Sequence, residues 1–357
     1  WTERAFIGLM ETSDPASNIW EDKGFVVCSA SDKGKTDYGR SSINDWEGYF
    51  KINAIDPTYI ITENGEHWLI YGSWHSGIAA LQVNPEDGKP LNALGNPWDI
   101  TGEDNSGYGK IIATRGTSRW QASEGPEVIY RDGYYYLFLA YGSLSVEYNT
   151  RVCRSKNIDG PYVDIHGNSA MGSAQLYPIL TAPYRFDNSY GWVGISHCGI
   201  FDDGAGNWFY TSQGRFPVNV GGNEYSNAIM MGHVRSIRWD ANGWPLVMPE
   251  RYGAVPQAPI TENEIAGDWE HLALTNSTGT QRTSETMTYD LGTHKITSGS
   301  WKNATWTFDA ATQTITTSAG VVLYLQREVD WEASPRTHTI VYAAQGNQKT
   351  YWGKKLQ

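Results

Sequence analysis

An aromatic strand that returns at a long, nearly even interval constrains this chain more than any other feature. Gly65-Glu66-His67-Trp68-Leu69-Ile70-Tyr71-Gly72 follows a turn, and the pattern recurs from Asp132-Gly133-Tyr134 to Tyr141-Gly142 and again in Gly206-Asn207-Trp208-Phe209-Tyr210-Thr211. Tyr134 lies 67 residues after His67, and Trp208 lies 73 after Tyr135. A second motif is a strand leading to Ser and then Gly-Pro-aromatic, as in Arg151-Val152-Cys153-Arg154-Ser155 to Gly160-Pro161-Tyr162. The opening copy, Ile7–Ser13 to Trp20-Glu21-Asp22, carries only this late half. Several short strands per unit of about 70 residues, with turns between them and almost no helical periodicity, predict an all-β chain of propeller blades. Stacked blades bury both faces, which accounts for unbroken aromatic and apolar runs such as Tyr134–Leu139. A β-sandwich is the alternative, but it does not predict so long a period.

The propeller expectation covers residues 1–258, and a small β-domain is expected over 261–357. There, Thr305-Trp306-Thr307-Phe308 and Thr314-Ile315-Thr316-Thr317 flank Asp309-Ala310-Ala311-Thr312, a hairpin signal. Val321-Val322-Leu323-Tyr324-Leu325 and His338-Thr339-Ile340-Val341-Tyr342-Ala343 continue the alternation, so a barrel-like domain is expected.

Charge narrows the function. With 27 Lys plus Arg against 39 Asp plus Glu, the net charge is −12. No basic surplus is present to neutralise phosphates, and anionic lipid surfaces would repel the chain. No apolar run approaches the roughly 18 residues of a membrane span. Nucleic acid and membrane are therefore not expected partners. The chain has 16 Trp and 22 Tyr but only 9 Phe. Trp and Tyr suit surfaces that stack on sugar rings, and they also suit strand cores, so composition leaves both readings open. Cys28, Cys153 and Cys198 are too few for a disulfide framework and lack CxxC spacing, so free thiols are expected. GxGxxG, P-loop, HExxH and GxSxG signatures are all missing.

What remains is a series of polar residues in apolar settings. Asp56 sits in Asn53-Ala54-Ile55-Asp56-Pro57-Thr58-Tyr59-Ile60, where Pro57 favours an extended approach. Glu124 sits in Ser123-Glu124-Gly125-Pro126-Glu127-Val128-Ile129-Tyr130. Asp56 precedes Trp68 by 12 residues, Glu124 precedes Tyr135 by 11, and His197 precedes Trp208 by 11. Equivalent places in successive blades converge on a propeller axis. Two facing carboxylates are what glycoside hydrolysis needs, one to protonate the leaving oxygen and one to activate water. Asp-Pro and Glu-Gly-Pro are equally ordinary turn chemistry, and a lone His is commonly a satisfied core residue, so these readings stay open beside the functional one.

Asn53-Ala54-Ile55-Asp56-Pro57, Ser123-Glu124-Gly125-Pro126 and Gly194-Ile195-Ser196-His197, in this order, resemble the motif series of glycoside hydrolase family 43, above all its endo-1,5-α-L-arabinanases. Tyr71-Gly72-Ser73-Trp74-His75-Ser76-Gly77-Ile78 resembles the strand and turn after the first motif. Arg235-Ser236-Ile237-Arg238-Trp239, Gly243-Trp244-Pro245 and Pro249-Glu250-Arg251-Tyr252 resemble the closing blade. The likeness covers about residues 1–253, and the C-terminal region resembles the accessory domain of two-domain arabinanases. It implies a five-bladed β-propeller, with the first blade and part of the second absent from this chain. It also implies an inverting hydrolase of α-1,5-linked arabinan, with Glu124 as general acid and Asp56 as the neighbour that tunes and orients it. His197 would sit near one axial metal ion, calcium or alternatively sodium, held mostly through water.

Asn53, Ser73, Trp74, Ser143 and Arg215 are the candidate sugar-binding residues, with Trp120, Trp192, Arg151 and Tyr141 as weaker ones; Trp74, Trp120 and Trp192 could equally be blade core, and Arg151 and Arg215 ion-pair partners. One departure stands out. The family's general base is an Asp in a His-Asp-Pro motif of the first blade, and no residue here matches it; Asp14-Pro15 lies in a Ser-Asp-Pro-Ala turn after a late half-blade. The chain begins at Trp1 without an initiator Met or signal peptide, so an N-terminal fragment of the same protein is the expected partner that supplies the base. A secreted or periplasmic location is expected. α-L-Arabinofuranosidase or β-xylosidase activity, or a non-catalytic sugar-binding propeller, are the alternatives.

Overall fold

The computed structural model describes residues 5–28, 53–74, 77–92, 94, 107–116, 123–172, 175–186 and 189–357. Strand β1 (Phe6–Glu11) pairs antiparallel with β2 (Glu21–Cys28), the observed form of the half-copy that opens the chain. Next come β3 (Thr58–Ile61), β4 (His67–Tyr71), β5 (Ile78–Val83) and β6 (Lys110–Ala113), a four-stranded meander in chain order. The following sheet has the order β10-β9-β8-β7, from β7 (Ser123–Arg131), β8 (Tyr134–Tyr141), β9 (Asn149–Ser155) and β10 (Ile179–Thr181). After β11 (Tyr184–Arg185), a third meander contains β12 (Val193–Asp202), β13 (Trp208–Arg215), β14 (Met230–Trp239) and β15 (Pro245–Val247).

The three aromatic copies are thus β4, β8 and β13, the second strand of each four-stranded sheet. Their composition explains the position. A strand flanked on both sides in its own sheet, and covered on both faces, needs apolar residues at every place. Leu137, Phe138, Leu139 and Tyr141 are accordingly all inaccessible to solvent.

A single helical turn, α1 (Glu262–Ile265), starts with Thr261 and Glu264 capping each other. It leads into β16 (Gly267–Leu274), β17 (Arg282–Thr283), β18 (Glu285–Asp290), β19 (Lys295–Ile296), β20 (Trp306–Asp309), β21 (Thr314–Thr317), β22 (Val321–Asp330), β23 (Thr337–Gly346) and β24 (Lys349–Lys355). The predicted hairpin is present, with Trp306 opposite Thr317 and Asp309 opposite Thr314. Eight of these strands form the sheet β19-β18-β16-β24-β23-β22-β21-β20. Its two ends meet: Lys295 bridges Thr305, and the Trp306 N–H donates to the His294 carbonyl at 2.9 Å. The sheet thus curls until its two end strands touch, in the region where the sequence predicts a barrel-like domain.

The chain packs as two compact units, residues 1–140 with 153–176, and residues 141–152 with 177–357. The second holds the barrel together with the β12–β15 sheet, so the boundary expected at 258–261 falls inside it. Strand alternation shows why. On β16, β23 and β24, Trp269, Tyr342 and Tyr351 point into the barrel core with Ile315 and Leu323, while Leu272, Val341 and Trp352 point outward to Leu246, Met248 and Ile195. Burying one Trp such as Trp352 contributes about 4–6 kcal/mol at 25 cal/mol per Å². Both faces of these barrel strands are therefore committed. None of the three cysteines is in a disulfide.

Candidate active site

In the first unit, two segments far apart in sequence form one hydrogen-bonded frame. The turn before β3 is anchored by the Gly72 N–H, which donates to the Ile55 carbonyl at 3.1 Å. Across from it, the Trp74 N–H donates to the Ser123 carbonyl at 2.9 Å, tying the segment after β4 to the start of β7. Side chains complete the frame. The Asn53 amide donates to the Ser73 carbonyl at 3.2 Å, and Ser73 Oγ donates to Glu124 Oε2 at 2.8 Å. The Gly125 N–H donates to Asp56 Oδ2 at 3.3 Å. Asn53, Asp56, Ser73, Trp74 and Glu124 are thus brought together in one frame. Asn53 and Ser73 are buried, and Asp56, Trp74 and Glu124 are half-buried.

Backbone conformation sets these positions. Gly72 has φ +133, and a Cβ there would lie 2.4 Å from the Gly77 carbonyl oxygen, so only glycine allows the chain to turn so closely into Ser73. Asp56 has φ +55, a left-handed conformation that Asp tolerates better than most residues. This corrects the extended approach expected from Pro57, because closing the turn onto Gly72 outweighs the pre-proline preference. The two acids are also not strictly equivalent. Asp56 lies two residues before β3, whereas Glu124 is the second residue of β7.

The remaining candidates lie in the second unit. His197 is exposed on β12 at φ +56, where the register with β13 shifts on both sides of Ser196. Ser143 is tied to Glu147: its N–H and hydroxyl both donate to Oε2, at 3.1 and 2.7 Å. Arg215 is half-buried and donates to the Asn227 carbonyl at 2.9 Å and to Met230 Sδ at 3.0 Å. Arg151 is 1% exposed, and its guanidinium donates to Asn149 Oδ1 on its own strand and to Asn276 Oδ1 beyond β16. Tyr141 is fully buried, and Trp192 stacks on Phe216 in the core. Trp120, His75 and Ser76 lie outside the described residues.

Metal-binding capacity is found where the sequence did not point. Glu250, Asp330 and Glu332 are a buried or half-buried acidic group that could hold a metal ion, their oxygens within 4.8 Å of one another. The ammonium of Lys354 already stands among them, 2.9 Å from Asp330 and 2.7 Å from Glu332, with Glu250 at 3.3 Å and Glu270 at 3.5 Å. Burial and the adjacent Glu332 carboxylate push Glu250 well above the usual carboxylate range. Burial also pushes Glu332 upward, but the Glu250 hydrogen bond and Lys354 outweigh it and leave Glu332 low. A proton on Glu250 and the Lys354 ammonium thus offset part of the group's negative charge. His197 belongs to no set of three ligating side chains among the described residues. An ion there would fit if its remaining ligands came from water or other oxygen groups.

Two buried imidazoles were also missed. Burial, with Arg235 and Arg251 nearby, holds His233 down to about 2, and burial alone holds His271 to about 3. His233 fits because Gly214 lacks a Cβ, which would lie 2.4 Å from its ring. Their cross-chain packing leaves no local sequence signal.

Residues 11–245 match the family described as glycosyl hydrolases family 43, and residues 249–353 match the C-terminal lipocalin-like domain. An extracellular endo-α-(1→5)-L-arabinanase of Thermotoga petrophila is 31% identical over 239 residues, 62% of this chain and 46% of its own length. Extracellular endo-α-(1→5)-L-arabinanase 2 of Bacillus subtilis is 30% identical over 240 residues, 61% of this chain and 46% of its own. The chain spans about half the length of these curated relatives. In structure it resembles the glycoside hydrolase family 43 YxiA protein of Bacillus licheniformis, with a TM-score of 0.77 at 25% identity over 98% of this chain and 77% of that one.

Proposed function

This chain belongs to glycosyl hydrolase family 43, and from that premise we propose that it cleaves α-1,5-linked L-arabinofuranosyl bonds in arabinan with inversion, using Glu124 as general acid. The observation that carries the reading is the frame in which Glu124, bound by Ser73, lies one residue from the Gly125 N–H that Asp56 accepts. A half-buried carboxyl with one oxygen hydrogen-bonded can present the other to a glycosidic oxygen. Protonating that oxygen lets the bond break as water attacks the anomeric carbon from the opposite face. Asp56 orients this acid and places a like charge beside it. Asn53, Trp74, Ser143 and Arg215 are proposed to contact the furanose chain. The general base is assigned to no residue of this chain.

We read the four-stranded sheets as blades of a five-bladed propeller and residues 261–357 as its accessory barrel. A calcium ion held by His197 and water would supply fixed positive charge, and no step passes through it. The relatives named extracellular support secretion, and no described helix is long and apolar enough to cross a membrane. The test is oligosaccharide release from debranched arabinan by the full-length protein, including the segment expected to supply the general base. Release that disappears in Glu124→Ala supports the reading, and full activity in that variant removes it. Arabinose as sole product would select exo action within the same family.

A further inference from the structure

We infer that Ser73 is the positioning residue of the proposed general acid and not a sugar ligand; the inference rests on Glu124 being that acid. Ser73 is 3% exposed, so its hydroxyl has little surface to offer a substrate. Its Oγ donates to Glu124 Oε2 at 2.8 Å across 51 residues of sequence. Its carbonyl is held by the Asn53 amide at 3.2 Å, and the N–H of the next residue, Trp74, donates to the Ser123 carbonyl at 2.9 Å. Ser73 is thus fixed on one side to the Asp56 loop and on the other to the strand that carries Glu124.

A carboxyl group has two oxygens, and an acid catalyst must keep its proton on the one facing the leaving group. With Ser73 donating to Oε2, that oxygen is an acceptor, and the transferable proton is directed to Oε1. When Glu124 gives up that proton, the same donor remains on the carboxylate. No atom of Ser73 enters the reaction; the proton moves from Glu124 Oε1 to the glycosidic oxygen as that oxygen leaves the anomeric carbon.

A second Tyr-Gly-Ser turn shows that the sequence alone does not dictate this pairing. Tyr141-Gly142-Ser143 repeats Tyr71-Gly72-Ser73, and both glycines have positive φ, +88 and +133. Ser143 Oγ also donates to a glutamate, but to Glu147 only four residues on, at 2.7 Å. The turn is therefore a device that aims a serine hydroxyl at a carboxylate, and at Ser73 the carboxylate is the proposed acid.

The experiment compares an arabino-oligosaccharide, whose leaving sugar needs a proton, with a nitrophenyl glycoside of α-1,5-arabinobiose, whose leaving group needs little help. In the full-length protein, including the segment expected to supply the general base, Ser73→Ala is expected to lower kcat on the oligosaccharide about tenfold with KM within about twofold, and to cost far less on the aryl glycoside. Ser73→Thr, which keeps the donor, is expected to restore most of the loss. Equal losses on both substrates, a rise in KM alone, or wild-type turnover in Ser73→Ala would overturn the inference. Glu124→Ala, run in parallel, separates this from the underlying reading: loss on the oligosaccharide with the aryl glycoside still cleaved sustains Glu124 as the acid whatever Ser73 does. Full oligosaccharide turnover in Glu124→Ala overturns both.

Discussion

Asp56 Oδ2 accepts the backbone N–H of Gly125 at 3.3 Å, joining residues 69 positions apart in the chain. The bond sets one carboxylate against the residue next to Glu124, and it separates two roles that Asp56 could play, as a hydrogen-bond acceptor and as a charge.

Asp56→Asn keeps an acceptor for Gly125 and removes the charge. In the proposed mechanism the charge matters, so this variant is expected to lose about 10²-fold in turnover on arabinan, nearly as much as Asp56→Ala. Its thermal midpoint should stay within about 2 °C of the parent, since the Gly125 bond remains. Turnover close to wild type in Asp56→Asn would assign Asp56 to turn formation alone.

Gly72→Ala is expected to cost about 3 kcal/mol, because the new methyl meets the Gly77 carbonyl oxygen and the backbone sits at φ +133. Gly65→Ala is the control. That position also has positive φ, +78, but nothing lies within 4 Å of the added carbon, so about 1 kcal/mol is expected. Urea midpoints of the two variants give the comparison, and equal losses would show that the close approach at Gly72 is easily relieved.

Lys354 lies within 3.5 Å of four carboxyl groups in an almost inaccessible site. Removing the cation in Lys354→Met leaves Glu270, Asp330 and Glu332 uncompensated, and about 3–5 kcal/mol of stability should be lost. Glu250→Gln tests the proton. Glu250 is raised above its ordinary 4.5, so the folded chain holds a proton the unfolded chain releases, and that contribution falls as pH rises above 4.5. An amide has no proton to lose. Glu250→Gln should therefore gain stability relative to the parent between pH 5 and pH 8, by urea midpoint; a constant difference would place the shared proton elsewhere.

His233 and His271 act in the opposite sense. Both are held far below 6.5 when folded, to about 2 and about 3, whereas the unfolded chain protonates them near 6.5. Their contribution is present above 6.5 and lost as pH falls below it, each by up to about 1.4 kcal/mol per pH unit. His271→Gln should roughly halve the histidine part of that slope between pH 6.5 and pH 4.5. An unchanged slope would mean that His271 is protonated in the folded chain.

The strand repeat was legible because alternation and turn chemistry are local, and the acids of the site were legible only through their offset from that repeat. Aromatic runs name β4, β8 and β13, and near-constant offsets of 12 and 11 residues from the first two pick out Asp56 and Glu124. Offset arithmetic could not show that Asp56 is left-handed before its proline, or that Ser73 points to Glu124 while Ser143 points to Glu147. It also left Arg151 open between a sugar contact and a structural role; the residue is 1% exposed and donates to the side-chain oxygens of Asn149 and Asn276.

By itself the sequence determined an all-β chain, its strand periodicity, its terminal hairpin and the ordered motifs of its family, since alternation and turn chemistry act over a few residues. Only the tertiary structure decided what the second face of each barrel strand meets and how Lys295 and Thr305 close the barrel. It alone gathered Glu250, Glu270, Asp330 and Glu332 around one lysine. Alternation tells a strand to have two faces, but the partners of those faces come from elsewhere in the chain, and burial and charge balance become defined only once they arrive.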